Sequence, residues 1–99
     1  MAGATRVVFH PEAVAEGRTA FLWNEQHSEV AARAFLAELD RTVARVIESP
    51  STWPSYLRQT RRCLFERFPF FLVFRQHGEE LQILAVAHAK RRPGYWKNR

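Results

Sequence analysis

Apolar positions along the chain change their period from segment to segment. Thr5–Phe9 is short, β-branched and aromatic, and the pattern predicts a strand. His10-Pro11-Glu12 then switches the chemistry, because proline is tolerated in a first helical turn and Glu12 suits the positive end of a helix dipole. A helix is expected from about Pro11 to Gln26, with Val14, Gly17 and Phe21 on one line and Ala13 and Ala20 on the adjoining one. Gly17 weakens that helix by up to about 1 kcal/mol relative to alanine and suits a close approach of a second helix. Ser28 is a suitable N-cap for the next helix, in which Ala32, Phe35, Leu39, Val43 and Val46 recur every three or four residues. Arg33, Asp40, Arg41 and Glu48 occupy the opposite side, and Ser49-Pro50 ends the helix. Two helices joined by a short turn imply an antiparallel helical hairpin.

Residues 49–60, with Pro50, Trp53 and Pro54, read as a loop. Three strands follow: Arg61–Glu66, then Phe70–Gln76, then Leu81–His88 after a turn at His77-Gly78-Glu79. Their connections are too short for parallel crossovers, so they are expected to pair as an antiparallel meander. The fold class is therefore α+β: an N-terminal strand, a helical hairpin and a three-stranded meander in a two-layer sandwich, with 1–99 as a single domain. The last two strands do not alternate between apolar and polar residues. Phe70, Leu72 and Phe74 are expected on one face and Phe71 and Val73 on the other. Ile83, Ala85 and Ala87 are likewise set against Leu84, Val86 and His88. The hairpin covers one face only. The second requires another cover: the C-terminal tail with Tyr95 and Trp96, a second copy, or a partner, with the partner expected to cover much of it.

Composition narrows the class. The single cysteine, Cys63, excludes an internal disulfide and a cysteine-based zinc site. No apolar run reaches the roughly 18 residues of a membrane span, and Met1–Thr5 lacks the features of a signal peptide. A small, basic protein of a reducing, cytoplasmic compartment is expected, with no membrane association. Charge is uneven: residues 1–50 hold five basic and seven acidic side chains, and residues 51–99 hold ten basic and three acidic. From His88 to Arg99 there are five cations and no acid, which points to an anionic partner, nucleic acid or acidic protein. The four histidines include no pair at i, i+4, so neither a metal nor another cofactor is expected. Trp23 and Trp53 read as core or hairpin-wedge residues, and the Phe68–Phe74 cluster as core.

These residues together resemble the RelE/ParE superfamily of toxins from bacterial type II toxin–antitoxin systems. The resemblance spans nearly the whole chain. It runs from Phe9-His10-Pro11-Glu12-Ala13 through Ala34-Phe35, Leu39, Ser49-Pro50 and Trp53-Pro54. It continues through Arg61-Arg62, Arg67-Phe68-Pro69-Phe70, Val73-Phe74-Arg75 and Ala85-Val86-Ala87-His88 to Arg91-Arg92-Pro93-Gly94-Tyr95-Trp96. It implies a curved sheet packed on a helical hairpin and a cognate antitoxin, often acidic, that wraps the toxin. From strand alternation the antitoxin surface is expected at Arg62, Phe71, Val73, Arg75, Leu84 and Val86. The target-facing surface is expected at Lys90, Arg91, Arg92, Tyr95, Trp96 and Lys97.

The superfamily holds two main activities, messenger-RNA cleavage in the ribosomal A site (RelE-like) and inhibition of DNA gyrase (ParE-like). RNA cleavage needs a base at the 2′-hydroxyl, an acid at the leaving oxygen and cations on the developing charge. His88 is a candidate base or acid, Glu66 a second candidate base, Tyr95 a candidate acid or, with Trp96, a ring to stack a nucleobase, and Arg61, Arg62, Arg75 and Arg91 candidate phosphate clamps. Each also has a plain structural reading: His88 bonded to nearby backbone, Tyr95 and Trp96 packing the tail, and Arg62 paired with Glu66 or Glu79. RelE-like nucleases usually carry several cations on the second helix and the following loop, whereas 46–57 has none. The Arg-Phe-Pro-Phe step at 67–70 and the histidine ending the last strand lie nearer the ParE branch. A ParE-like toxin is the leading expectation, with the ribosome-dependent nuclease as alternative and a non-toxic RNA- or protein-binding module as a third reading.

Overall fold

The computed structural model describes residues 6–99. Met1–Thr5, with the first residue of the expected strand and the stretch read for a signal peptide, lies outside the described residues. Strand β1 (Arg6–Phe9) leads into α1 (Pro11–His27) and α2 (Glu29–Glu48). Strands β2 (Ser55–Tyr56), β3 (Thr60–Leu64), β4 (Phe70–His77) and β5 (Glu80–His88) follow. They form one sheet in the order β1-β5-β4-β3-β2. The expected meander is present as β3-β4-β5, and β1 joins its far side parallel to β5.

Local chemistry explains the element ends. His10 caps α1, its Nδ1 accepting the Glu12 N–H at 3.0 Å. Ser28 alone makes the hairpin turn. Its N–H donates to Asn24 O at 2.8 Å to close α1, and its hydroxyl accepts from Ala31 N at 3.2 Å to open α2. Gly78, with φ of +61°, leads the two-residue turn between the paired His77 and Glu80.

The loop expected over 49–60 is more ordered than its prolines suggested. It holds β2 between two short 3₁₀ turns, and Arg58 and Gln59 both adopt positive φ. Strand β3 stops at Leu64, two residues early, because Phe65 turns inward and Glu66 and Arg67 give their N–H groups to Glu38.

The core has two layers. Between helices and sheet, Phe35 is fully buried, its ring centroid 5.8, 5.4 and 5.3 Å from those of Phe65, Phe68 and Phe70. Each such pair adds roughly 0.5–1.5 kcal/mol beyond area burial. Leu72, Phe74, Leu81, Ile83 and Val86 share this layer. Gly17 sits over Val86, but an added methyl would meet Leu39 at 3.6 Å and Val86 at 4.0 Å, so the glycine is not required for helix approach.

On the other face Phe71, Val73, Leu84, Ala85 and Ala87 pack under Trp96, with Tyr56 and Tyr95 beside them. A β-bulge sets this division. Val73 pairs with Ala85 and Phe74 with Ile83, leaving Leu84 as an extra residue. The alternation expected along β5 is therefore broken, and Val86 turns to the helices, not to the face assigned from sequence. The tail itself supplies a cover for the second face, since Trp96 is only 2 % exposed. Trp23, expected in the core or as a wedge, is 60 % exposed and stacks on His27 with centroids 4.1 Å apart. Trp53 is half-buried against the core beneath the Arg45 guanidinium, 4.9 Å from its ring centre. The aromatics between Phe68 and Phe74 divide between the two layers, with Phe68 and Phe70 only partly buried.

Candidate functional site

The site grows from an uncompleted sheet edge. Strand β1 pairs only with Glu80–Ile83 of β5, and the chain then leaves the sheet at His10, whose N–H donates to Ile83 O at 2.9 Å. From Leu84 onward α1 lies beside β5 instead of a strand. Backbone groups along such an edge need partners. Glu16, on the second turn of α1, supplies one: its Oε1 accepts the Val86 N–H at 3.0 Å.

The same carboxylate holds the tail. Tyr95 donates its hydroxyl to Glu16 Oε2 at 2.7 Å. Arg99 forks onto both oxygens, Nη1 at 2.9 Å and Nη2 at 2.8 Å, and Nη1 also donates to Leu84 O at 3.0 Å. The pair is mostly sheltered, the side chains being 14 % and 15 % exposed. Two parallel charge-assisted bonds in such a setting are the strong kind. The hydrogen bond to Glu16 raises the Arg99 pKa further, and burial, followed by the bond to Glu16, pushes the Tyr95 phenol well above its ordinary range. Positive φ at Gly94 turns the tail back over Leu57.

Between α1, the Phe68–Phe70 loop and the start of the tail runs a groove of about 780 Å³. Glu12, Glu16 and Asn24 line its helical side, and His88, Lys90 and Arg91 its opposite side. His88 packs its ring edge-on against Phe70, centroids 4.9 Å apart, and its Nδ1 accepts the Lys90 N–H at 3.0 Å. Arg91 lies over the Tyr95 ring at 3.9 Å. Lys90, Arg91, Arg92 and Lys97 are all exposed.

Of the residues named for RNA cleavage, His88 and Arg91 line this groove, and Tyr95 lies next to it, bonded to Glu16 and beneath Arg91. Arg62 lies on the second sheet face over Tyr56 and Phe71, 4.5 and 5.2 Å from their ring centres, and is not paired with an acid as its sequence neighbours suggested. Glu66 lies past the end of β3 and faces Arg45 of α2 at 3.9 Å. Arg61 donates to Trp53 O at 2.6 Å and Arg75 to Gln82 Oε1 at 2.7 Å. Of the residues assigned to the antitoxin surface, Phe71, Val73 and Leu84 share the second face with Arg62 but are buried beneath the tail and Tyr56, Arg75 is exposed, and Val86 is in the opposite layer. Of those assigned to the target, Trp96 is buried and Tyr95 half-buried. Among the described residues no group of three or more metal-binding side chains comes together, and no helix is long and apolar enough to cross a membrane.

Sequence reasoning passed over Glu16 and Glu38. A signal for Glu16 existed: it lies at helical spacing from Ala13 and Ala20, on the stripe expected to be buried. An acid on a buried stripe needs partners. Its partners lie 70 to 83 residues away, which no local pattern reveals.

Comparison with known proteins adds three findings. The family model for the ParE toxin of the type II toxin–antitoxin system parDE matches residues 7–93. A solved structure described as the chromosomal ParDE TA system from P. aeruginosa superposes with a TM-score of 0.75. The two are 22 % identical, and the match covers 86 % of this chain and 96 % of that one. None of the curated proteins compared with the chain matches it.

Proposed function

The chain belongs to the ParE toxin family of type II toxin–antitoxin systems, and on that premise we propose that it inhibits DNA gyrase by docking, without cleaving RNA. The commitment of the Tyr95 hydroxyl carries this reading. An acid for RNA cleavage must release its proton to a leaving oxygen. Tyr95 instead donates to Glu16 and sits between two guanidinium groups. Glu66, the second candidate base, is turned to α2, so with Tyr95 committed to Glu16 neither group is placed to work with His88. The exposed cations Lys90, Arg91, Arg92 and Lys97 suit electrostatic recognition of an acidic surface.

A cognate antitoxin is part of the same reading. Of the surface expected for it, Arg62 of β3 is half-buried and Arg75 of β4 is exposed. These cations suit an acidic antitoxin segment, which would run along the sheet face across β3 and β4.

The test is a map of messenger-RNA 5′ ends shortly after induced expression in a bacterium. Growth arrest with intact transcripts is expected, and His88→Gln should arrest growth within severalfold of the parent. New 5′ ends within translated codons, lost in His88→Gln, would replace the gyrase reading with ribosome-dependent cleavage. Normal growth with intact transcripts would favour a binding module.

A further inference from the structure

We propose that Glu16 is the positioning residue for the inhibitory surface: its carboxylate fastens residues 95–99 to the free edge of β5 and so fixes the cationic segment 90–97 for its target. This rests on the toxin reading above and names a residue that touches no target itself. Three elements meet at this carboxylate. It takes the Val86 N–H from β5 at 3.0 Å, the Tyr95 hydroxyl at 2.7 Å and both Nη atoms of Arg99 at 2.8–2.9 Å.

Apart from the bond from Arg99 Nη1 to Leu84 O, the other restraints on the tail at 95–99 among the described residues are local or apolar. Its backbone bonds, from Tyr95 N to Arg92 O, Lys97 N to Gly94 O and Arg99 N to Trp96 O, are turns within the tail and do not tie it to the sheet. Trp96 is buried by packing, which is non-directional and does not fix the rotation of the segment. The fork of Arg99 on Glu16 does fix it, because a bidentate pair has one planar geometry. The bond from Arg99 Nη1 to Leu84 O extends that registration to the bulge residue of β5. Lys90, Arg91 and Arg92 lie between two anchored points, the end of β5 at His88 and Tyr95 at Glu16. Lys97 lies between buried Trp96 and Arg99.

The experiment compares the parent with Glu16→Gln, Arg99→Ala and Arg99→Lys by amide hydrogen exchange and by growth inhibition at matched soluble protein. In Glu16→Gln and Arg99→Ala, exchange at 95–99 should speed up at least tenfold while amides of β4 and β5 stay protected. Growth inhibition should weaken at least tenfold in the same two variants, and Arg99→Lys should recover part of both. If Glu16→Gln loosens the whole sheet, Arg99→Ala decides, since it leaves the Val86–Glu16 bond in place. Unchanged tail protection would overturn the proposal, as would a freed tail with full growth inhibition. A parent that arrests growth without inhibiting purified gyrase would sink the gyrase reading and leave the role of Glu16 to be decided by growth inhibition.

Discussion

Glu38 gives a sharp test of how the groove wall is held. This side chain sits on the apolar stripe of α2, between Phe35 and Thr42, and is only 2 % exposed. It accepts the Glu66 N–H and the Arg67 N–H, the latter at 3.0 Å, and so stops β3 and sets the loop that carries Phe68, Pro69 and Phe70. Those three residues form one side of the groove. A hydrogen bond to a charged group contributes about 1.5–3 kcal/mol. Both donors lie on residues that are otherwise exposed, so water partly replaces the lost acceptor when the loop relaxes. Glu38→Ala should therefore cost near the lower end for two bonds, about 3 kcal/mol, a large share of the roughly 5–15 kcal/mol of a small domain. Glu38→Gln keeps one acceptor oxygen and should cost about half as much. Urea unfolding followed by far-ultraviolet circular dichroism measures both, with an unchanged m-value confirming that only stability moved. Amide exchange at Glu66 and Arg67 should rise selectively in both variants. An alanine variant within about 0.5 kcal/mol of the parent, the scatter of an ordinary surface change, would refute this account of the loop.

Other substitutions probe separate links. Gly17→Ala should stabilise the protein, because the methyl meets Leu39 and Val86 at ordinary contact distances of 3.6 and 4.0 Å. The gain should approach about 1 kcal/mol, or roughly 4–8 °C in Tm, by calorimetry. Tyr95 has its phenol pKa raised in the folded state, so its contribution is complete below the unfolded value near 10 and drains as pH climbs above it. The parent should thus lose stability between about pH 10 and 12 faster than Tyr95→Phe in chemical-denaturation series. Replacing Lys90, Arg91 and Arg92 with alanine should weaken gyrase inhibition and flatten its dependence on salt, with little change in Tm.

Much of the fold was legible because its signals are local. The α2 stripe, the Ser28 cap, the Ser49-Pro50 stop and the Gly78 turn each act within a few residues. What stayed hidden depends on contacts distant in sequence. The bulge at Leu84 leaves no mark in an apolar run whose two sides are both buried, so simple alternation puts Ala85, Val86 and Ala87 in the wrong layers. Parallel pairing of β1 follows only once the hairpin has returned the chain. The tail with Trp96 was legible as one of three covers for the second face, yet nothing local chose it over a second copy or a partner. Glu16 and Glu38 stand on apolar helix stripes, but what they are for stays hidden until the backbone groups they serve are brought beside them. The candidate chemistry was legible as residue types, while its dispersal over the groove, the second sheet face and the end of β3 was not.

Gyrase inhibition by docking, as proposed for this ParE-family chain, is open to direct assay. A supercoiling assay with purified bacterial gyrase, ATP and relaxed plasmid tests it most directly. Inhibition that rises with protein concentration, with total RNA added to the same reaction left intact, is the expected result. Full supercoiling at a large molar excess of folded protein would contradict the claim.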